Sequence, residues 1–162
     1  MLELLDDSVK IRSASNADCE NIQRLVFGVL AEFGLEPDTE GTDRDITDVE
    51  ANYIDRGGVF EVLVDSNDEI VGTIGLYPLD KDTIELRKMY FASSIRGLGL
   101  GRKLLERTLE NAKNMGYLRV YLETARVLKQ AVHLYEAFGF EPVDVIHTPR
   151  CDQAYRLELC KK

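Results

Sequence analysis

The sequence predicts an α/β (α+β) fold: a mixed, mostly antiparallel sheet of about six to seven strands, flanked by about four helices. Three observations predict it. Short apolar runs joined by tight turns fill residues 59–92, the pattern of an antiparallel meander. One strand–helix–strand unit follows over 83–123 and supplies a single parallel pairing. Ahead of both, Ile22, Leu25, Val26, Val29, Leu30 and Phe33 recur every three to four residues, which makes an amphipathic helix.

Val9 to Ala14 reads as the first strand. Ser15-Asn16-Ala17-Asp18 then starts a helix, because such side chains accept from its first free amides, and Gly34 stops it. A shorter helix is expected from about Asp45 to Ile54, ended by Gly57-Gly58. Val59 to Asp65 and Ile70 to Tyr77 pair across the turn Ser66-Asn67-Asp68. Pro78 to Asp82 leads into a strand from Thr83 to Ala92, a helix from Gly101 to Met115 and a strand from Leu118 to Glu123. A helix from Val127 to Phe138 and strands at Val143 to His147 and Gln153 to Leu159 complete the order. The strand at 83–92 carries an irregularity. Leu86, Met89 and Phe91 share one face only if a β-bulge near Arg87–Lys88 absorbs the odd step from 86 to 89.

At 162 residues with 44% apolar content, one domain over residues 1–162 is expected. The net charge of −9 argues against a nucleic-acid partner, which needs a basic face. No run approaches the ~18 apolar residues of a membrane span, and Met1 to Lys10 holds no signal-peptide core. Cys19, Cys151 and Cys160 are odd in number and lack metal-site spacing, so a reduced, cytoplasmic protein is expected. His133 and His147 lie far apart, and no metal site is expected. Glu36, Asp38, Glu40, Asp43, Asp45, Asp48 and Glu50 are opposed only by Arg44. That stretch is either a solvated linker and helix start or an acidic rim that attracts an ammonium group.

Arg96-Gly97-Leu98-Gly99-Leu100-Gly101-Arg102 carries the functional signal. Glycines at alternate positions let several backbone amides converge on one ligand, and the helix that follows adds unpaired amides and a positive dipole end. The combination suits a phosphate or pyrophosphate. A P-loop is excluded, because Gly101 is followed by Arg102, Lys103 and Leu104 and the magnesium-binding hydroxyl is missing. A dinucleotide fingerprint fits Gly97 and Gly99, with Glu123 downstream as the ribose acid, but its third glycine falls on Arg102. A dinucleotide-binding oxidoreductase therefore stays as an alternative.

Arg96-x-x-Gly99-x-Gly101 satisfies every position of another pattern. It resembles the acetyl-CoA pyrophosphate loop of the GNAT N-acetyltransferase superfamily. Glu85-Leu86-x-x-Met89-Tyr90-Phe91 looks like the family's fourth strand, and Ala131-x-x-Leu134-Tyr135-x-x-x-Gly139-Phe140 like its fourth helix and the turn after it. The three blocks stand in family order over roughly residues 83–143. The resemblance implies acetyl-CoA as co-substrate, held by Arg96, Gly97, Leu98, Gly99, Leu100, Gly101 and Arg102 and by the main chains of Met89 and Phe91. The bulge frees those main-chain groups. It implies direct transfer of acetyl to a primary amine, with a small-molecule amine favoured as acceptor. A homodimer is left open, and no interface can be picked out. Two departures stand out: Leu128 replaces an asparagine common in the family, flanked by Lys129 and Gln130, and Ala92-Ser93-Ser94 replaces a common proline.

An alkyl amine of pKa ~10.4 is neutral in only about one molecule in 2,500 at pH 7, so the site must remove a proton. Glu85, eleven residues ahead of Arg96, matches the family's base; the competing reading is a surface carboxylate paired with Arg87 or Lys88. Tyr135 matches the family's acid for the departing thiolate; the competing reading is core packing, since Leu128, Ala131, Tyr135 and Phe138 form one stripe. By the same resemblance an amide near Met89 would hold the oxyanion. A non-catalytic acyl-CoA sensor is the second alternative.

Overall fold

The computed structural model describes residues 3–159. Its sheet has eight strands in the order β1-β2-β3-β4-β5-β6-β8-β7: β1 Glu3–Leu4, β2 Lys10–Ser13, β3 Val59–Val64, β4 Ile70–Pro78, β5 Thr83–Phe91, β6 Arg119–Thr124, β7 Glu141–Val143 and β8 Gln153–Glu158. Only β5 and β6 pair in parallel. The helices are α1 Cys19–Glu32, α2 Leu100–Asn114 and α3 Lys129–Ala137, with a π-helical segment at Glu50–Ile54. The expected class and order hold, with a slightly higher strand count.

The sheet is buried on both faces across its middle. Ile22, Val26 and Leu30 of α1 pack with Ile46, Val49 and Tyr53 on Phe60, Val62 and Val64 of β3. Leu100, Leu104 and Leu105 of α2 and Tyr135 of α3 cover the other face against Leu63, Leu86, Val120 and Leu122. Gly75 permits the first packing, since a Cβ there would sit 2.8 Å from the Tyr53 ring. Ser15 and Asp18 form a reciprocal capping box at the start of the first helix, as the sequence reading expects.

Three elements differ from expectation. The extra strand is the two-residue β1, pinned by Arg107, which donates to Glu3 and to the buried Glu61. The helix expected from Asp45 is a single 3-10 turn over Arg44–Thr47 followed by the π-helical segment, broken at Asp48, whose carboxylate accepts from the Ala51 amide. The strand expected at Val143 to His147 stops at Val143. Beyond it, backbone groups bond side chains of β6 instead of a neighbouring strand: Tyr121 donates to the Val145 carbonyl, and the His147 and Thr148 amides donate to Glu123.

Candidate active site

The sheet splits at Glu85. β5 and β6 pair for three residues, Thr83–Glu85 against Arg119–Tyr121. Then β6 follows β8 as far as Thr124, while β5 follows β4 through a bulge. Between the diverging strands lies a cleft of about 310 Å³, closed at its sides by Gly41–Thr42 and by residues 147–151. A second hollow, about 280 Å³, lies between the bulged end of β5, the glycine loop and α3. The two share Met89, Ala131 and Tyr135 as a common wall.

The hollow gathers eight of the nine residues expected to hold a cofactor; Leu98 is exposed and does not line it. Gly97 and Gly99 adopt φ of +78° and +79°, conformations that cost an L-residue roughly 1–2 kcal/mol. Gly101 is helical, and a Cβ there would meet Leu134 at 3.4 Å. The first backbone bond of α2 runs from the Lys103 amide to the Gly99 carbonyl. No amide from Gly97 to Arg102 donates to an acceptor among the described residues. Six unpaired donors at a helix start are what an anion would satisfy. Arg96 lines the hollow, but its guanidinium is committed to the Phe91 carbonyl, at 3.0 and 2.8 Å, and to Glu32 on α1. Arg102 lies 5.2 Å from the Phe138 ring. Gln130, beside the departing Leu128 position, lines the hollow.

Glu85 and Tyr135 both face the cleft. Glu85 is buried and accepts from Arg87 Nε at 2.8 Å. Burial pushes its carboxyl up, against the pull of the Arg87 guanidinium. Glu85 therefore pairs with Arg87, as the competing sequence reading has it, but it does so buried and not on the surface. The Tyr135 ring packs edge-on to Phe140, and its hydroxyl lies 3.8 Å from Met89 Sδ. Burial raises that hydroxyl, so it is protonated at neutral pH. A shallow groove across Thr83, Arg119, Tyr121 and Arg156 meets the cleft at Glu85, giving the carboxyl a second approach from solvent.

Glu123, the ribose acid of the dinucleotide alternative, is occupied otherwise. Burial alone would raise it, but hydrogen bonds from Tyr121, Thr148 and His147 hold it below the usual carboxylate range. Cys151 lines the cleft with its thiol pushed up to about 11 by burial and by Glu123, so it is no thiolate nucleophile. Cys160 lies outside the described residues.

The acid-rich stretch is only partly a free rim, with Glu36, Asp38 and Glu40 exposed. Asp38 accepts from the Gly41 and Thr42 amides, and Asp48 and Glu50 bond Asn16. Asp43, fully buried, takes both ends of the Arg150 guanidinium at 2.6 and 2.8 Å. Asp45 receives the Tyr53 hydroxyl and lies 3.1 Å from Lys88 Nζ. Sequence reasoning missed Lys88 and Arg150. A lysine beside the expected bulge was a usable signal; Arg150 offered none, because its partner lies 107 residues away. Among the described residues no cluster of histidine, cysteine or acidic side chains could hold a metal ion, and no helix is long and apolar enough to cross a membrane.

The acetyltransferase (GNAT) family model matches residues 25–140. An uncharacterized N-acetyltransferase of Escherichia coli, YjgM, is 38% identical over 89% of each chain. Among solved structures, a GNAT-family acetyltransferase from Staphylococcus aureus superposes with a TM-score of 0.88 at 25% identity, covering 94% of this chain and 99% of its own. The structure of yncA from Salmonella typhimurium with its cofactor acetyl-CoA gives 0.74 at 20% identity, over 96% of each chain.

Proposed function

The chain belongs to the acetyltransferase (GNAT) family, and from that premise we propose that it transfers acetyl from acetyl-CoA to the primary amine of a small molecule, by direct attack in a ternary complex. The carrying observation is the shared wall: the hollow with six free amides and the cleft with Glu85 meet at Met89, Ala131 and Tyr135. The amides of Gly97 to Arg102 hold the pyrophosphate, and the unpaired edge of β5 past Glu85 takes the pantetheine arm as a strand would. Glu85 takes the ammonium proton, and its burial makes it a stronger base than an exposed glutamate. The amine nitrogen then bonds the carbonyl carbon, the carbon–sulfur bond breaks as Tyr135 gives its proton to the leaving sulfur, and the extra proton left on the new amide nitrogen returns to the Tyr135 phenolate. Burial raises donor and departing thiolate alike, so their match survives in the dry pocket. The neutral Cys151 thiol supports direct attack over an acyl-enzyme.

Calorimetric titration with acetyl-CoA, NADH as control, and CoA release across a panel of primary amines test this reading. Saturable acetyl-CoA binding with amine-dependent release is expected. Binding without release identifies the acyl-CoA sensor, and a preference for NADH overturns the reading. Tyr135→Phe keeps the packing and removes the proton, so kcat should fall about 10²–10³-fold with acetyl-CoA affinity unchanged; full turnover removes the acid assignment.

A further inference from the structure

Lys88 breaks two local rules at once. It stands in a strand with φ +56°, in the left-handed region, and its side chain is only 5% exposed. Opposite it the register slips: Thr73 faces Tyr90 and Gly75 faces Arg87, so Ile74 alone spans Lys88 and Met89. A buried ammonium needs partners, and Lys88 has three. Its Nζ lies 3.1 Å from Asp45, 3.3 Å from Asp43 and 3.3 Å from the Thr42 carbonyl. Thr73 fixes the same residue from the other side, donating its hydroxyl to the Lys88 carbonyl at 2.7 Å. From the ammonium, contacts run both ways along the cleft. Asp43 grips Arg150, while Asp45 lies 3.8 Å from Arg87, whose Nε donates to Glu85. A glycine would take this φ without strain, so backbone geometry alone does not explain a lysine.

We infer that Lys88 is a positioning residue for acetyl transfer: its ammonium, held between Asp43 and Asp45, fixes the bulge that sets Met89 at the junction of hollow and cleft, and through Asp45 and Arg87 orients the Glu85 carboxylate. The inference rests on the transferase reading, and its test separates the two.

Three variants test it: Lys88→Met, Lys88→Gly and Asp45→Asn, each measured for acetyl-CoA affinity, kcat and the acid limb of the pH–rate profile. The groups facing Glu85 are Arg87 and Lys88 of β5, Tyr121 and Glu123 of β6, Asp45 behind Arg87, and His147 and Cys151 of the segment after β7. Removing the Lys88 charge should move the acid limb to higher pH, and removing the Asp45 charge should move it lower. Each variant should lose about tenfold or more in kcat; acetyl-CoA binding should change less than about threefold in Asp45→Asn, and in the Lys88 variants, which also loosen the bulge, it should fall by less than kcat does. Simple loosening of the fold would move both limbs together or neither. Lys88→Gly accepts the left-handed backbone, so it keeps the test open if Lys88→Met does not fold. Wild-type turnover and pH profile in Lys88→Gly overturn the inference. Failure of the wild type to bind acetyl-CoA or to release CoA overturns the transferase reading instead, whatever the variants do.

Discussion

On one side of Tyr135 stands the loop of residues 97–102; on the other stand the cleft walls at 41–42 and 147–151, with the ion pairs of Asp43 and Asp45 behind them. The loop is made of backbone. Its donors are consecutive amides, its shape follows from two glycines in the left-handed region, and no distant side chain accepts from those amides. The walls are made of side chains that reach across the chain. Arg150 meets Asp43 107 residues away, and Lys88 meets Asp45 43 residues away. A backbone site tolerates surface change and fails with its glycines. A side-chain site has no single weak residue in its backbone, but it loses a partner to every charge removed.

The largest effect expected from this contrast falls on Glu85, which belongs to the wall side. Glu85→Gln should cut kcat/KM about 10²–10³-fold and leave acetyl-CoA affinity alone. In the wild type, activity should climb with pH through a carboxyl midpoint above the ordinary glutamate value, because burial raises Glu85 and only its ionised form accepts a proton. The acid limb should vanish in Glu85→Gln. A midpoint at or below the ordinary value would show that another group is the base.

Gly99→Val tests the backbone side. A β-branched residue at φ +79° displaces the loop, and acetyl-CoA affinity should fall about 30-fold or more by calorimetry, equivalent to about 2 kcal/mol. Thermal stability should fall only by the strain of the left-handed backbone, roughly 1–2 kcal/mol, with no added clash, since a Cβ at 99 meets no neighbour within 4 Å. Unchanged affinity would dissolve the contrast.

Arg150→Met should do the reverse. It leaves the fully buried Asp43 with Lys88 and the Asp38 amide as its remaining partners and should cost about 3 kcal/mol of stability, with a Tm lower by roughly 6–12 °C. Acetyl-CoA affinity of the folded fraction should stay within about twofold. Adding Asp43→Asn should recover part of the lost Tm; no recovery would mean that the pair is not a unit.

The smallest effect concerns salt. Asp43 and Asp45 are spent on Lys88, Arg87 and Arg150, and the exposed Glu36, Asp38 and Glu40 do not line the cleft, so little of the acid-rich stretch's field falls where a cation would enter. Raising ionic strength from about 0.05 to 0.5 M should change kcat/KM for a cationic amine less than about twofold. A steep fall would restore the acidic rim as a steering surface.

The same contrast explains what could be read in the sequence. The glycine loop was legible because its signal is local: position, residue type and the helix after it carry the whole argument. The bulge was legible from one odd step between Leu86 and Met89, and the structure has it at Lys88–Met89. The acid-rich stretch was not, because whether an aspartate is solvated or buried depends on partners that only folding delivers. The Val145–Ile146 pair looked like strand for its β-branched residues, yet the nearby backbone groups are taken by Tyr121 and Glu123. Intrinsic preference lost to available partners.

The parting of β5 from β6 has one more consequence. Sheet edges with free amides and carbonyls invite other chains to add a strand, and proteins usually blunt them with charge, proline or cover. Here the unpaired side of β5 lies in the middle of an eight-stranded sheet, walled by α3 and by residues 147–151. A polypeptide strand cannot dock there without displacing those walls, whereas a thin, flexible arm can. The chain thus keeps an adhesive surface out of reach of its own kind and open to a narrow guest.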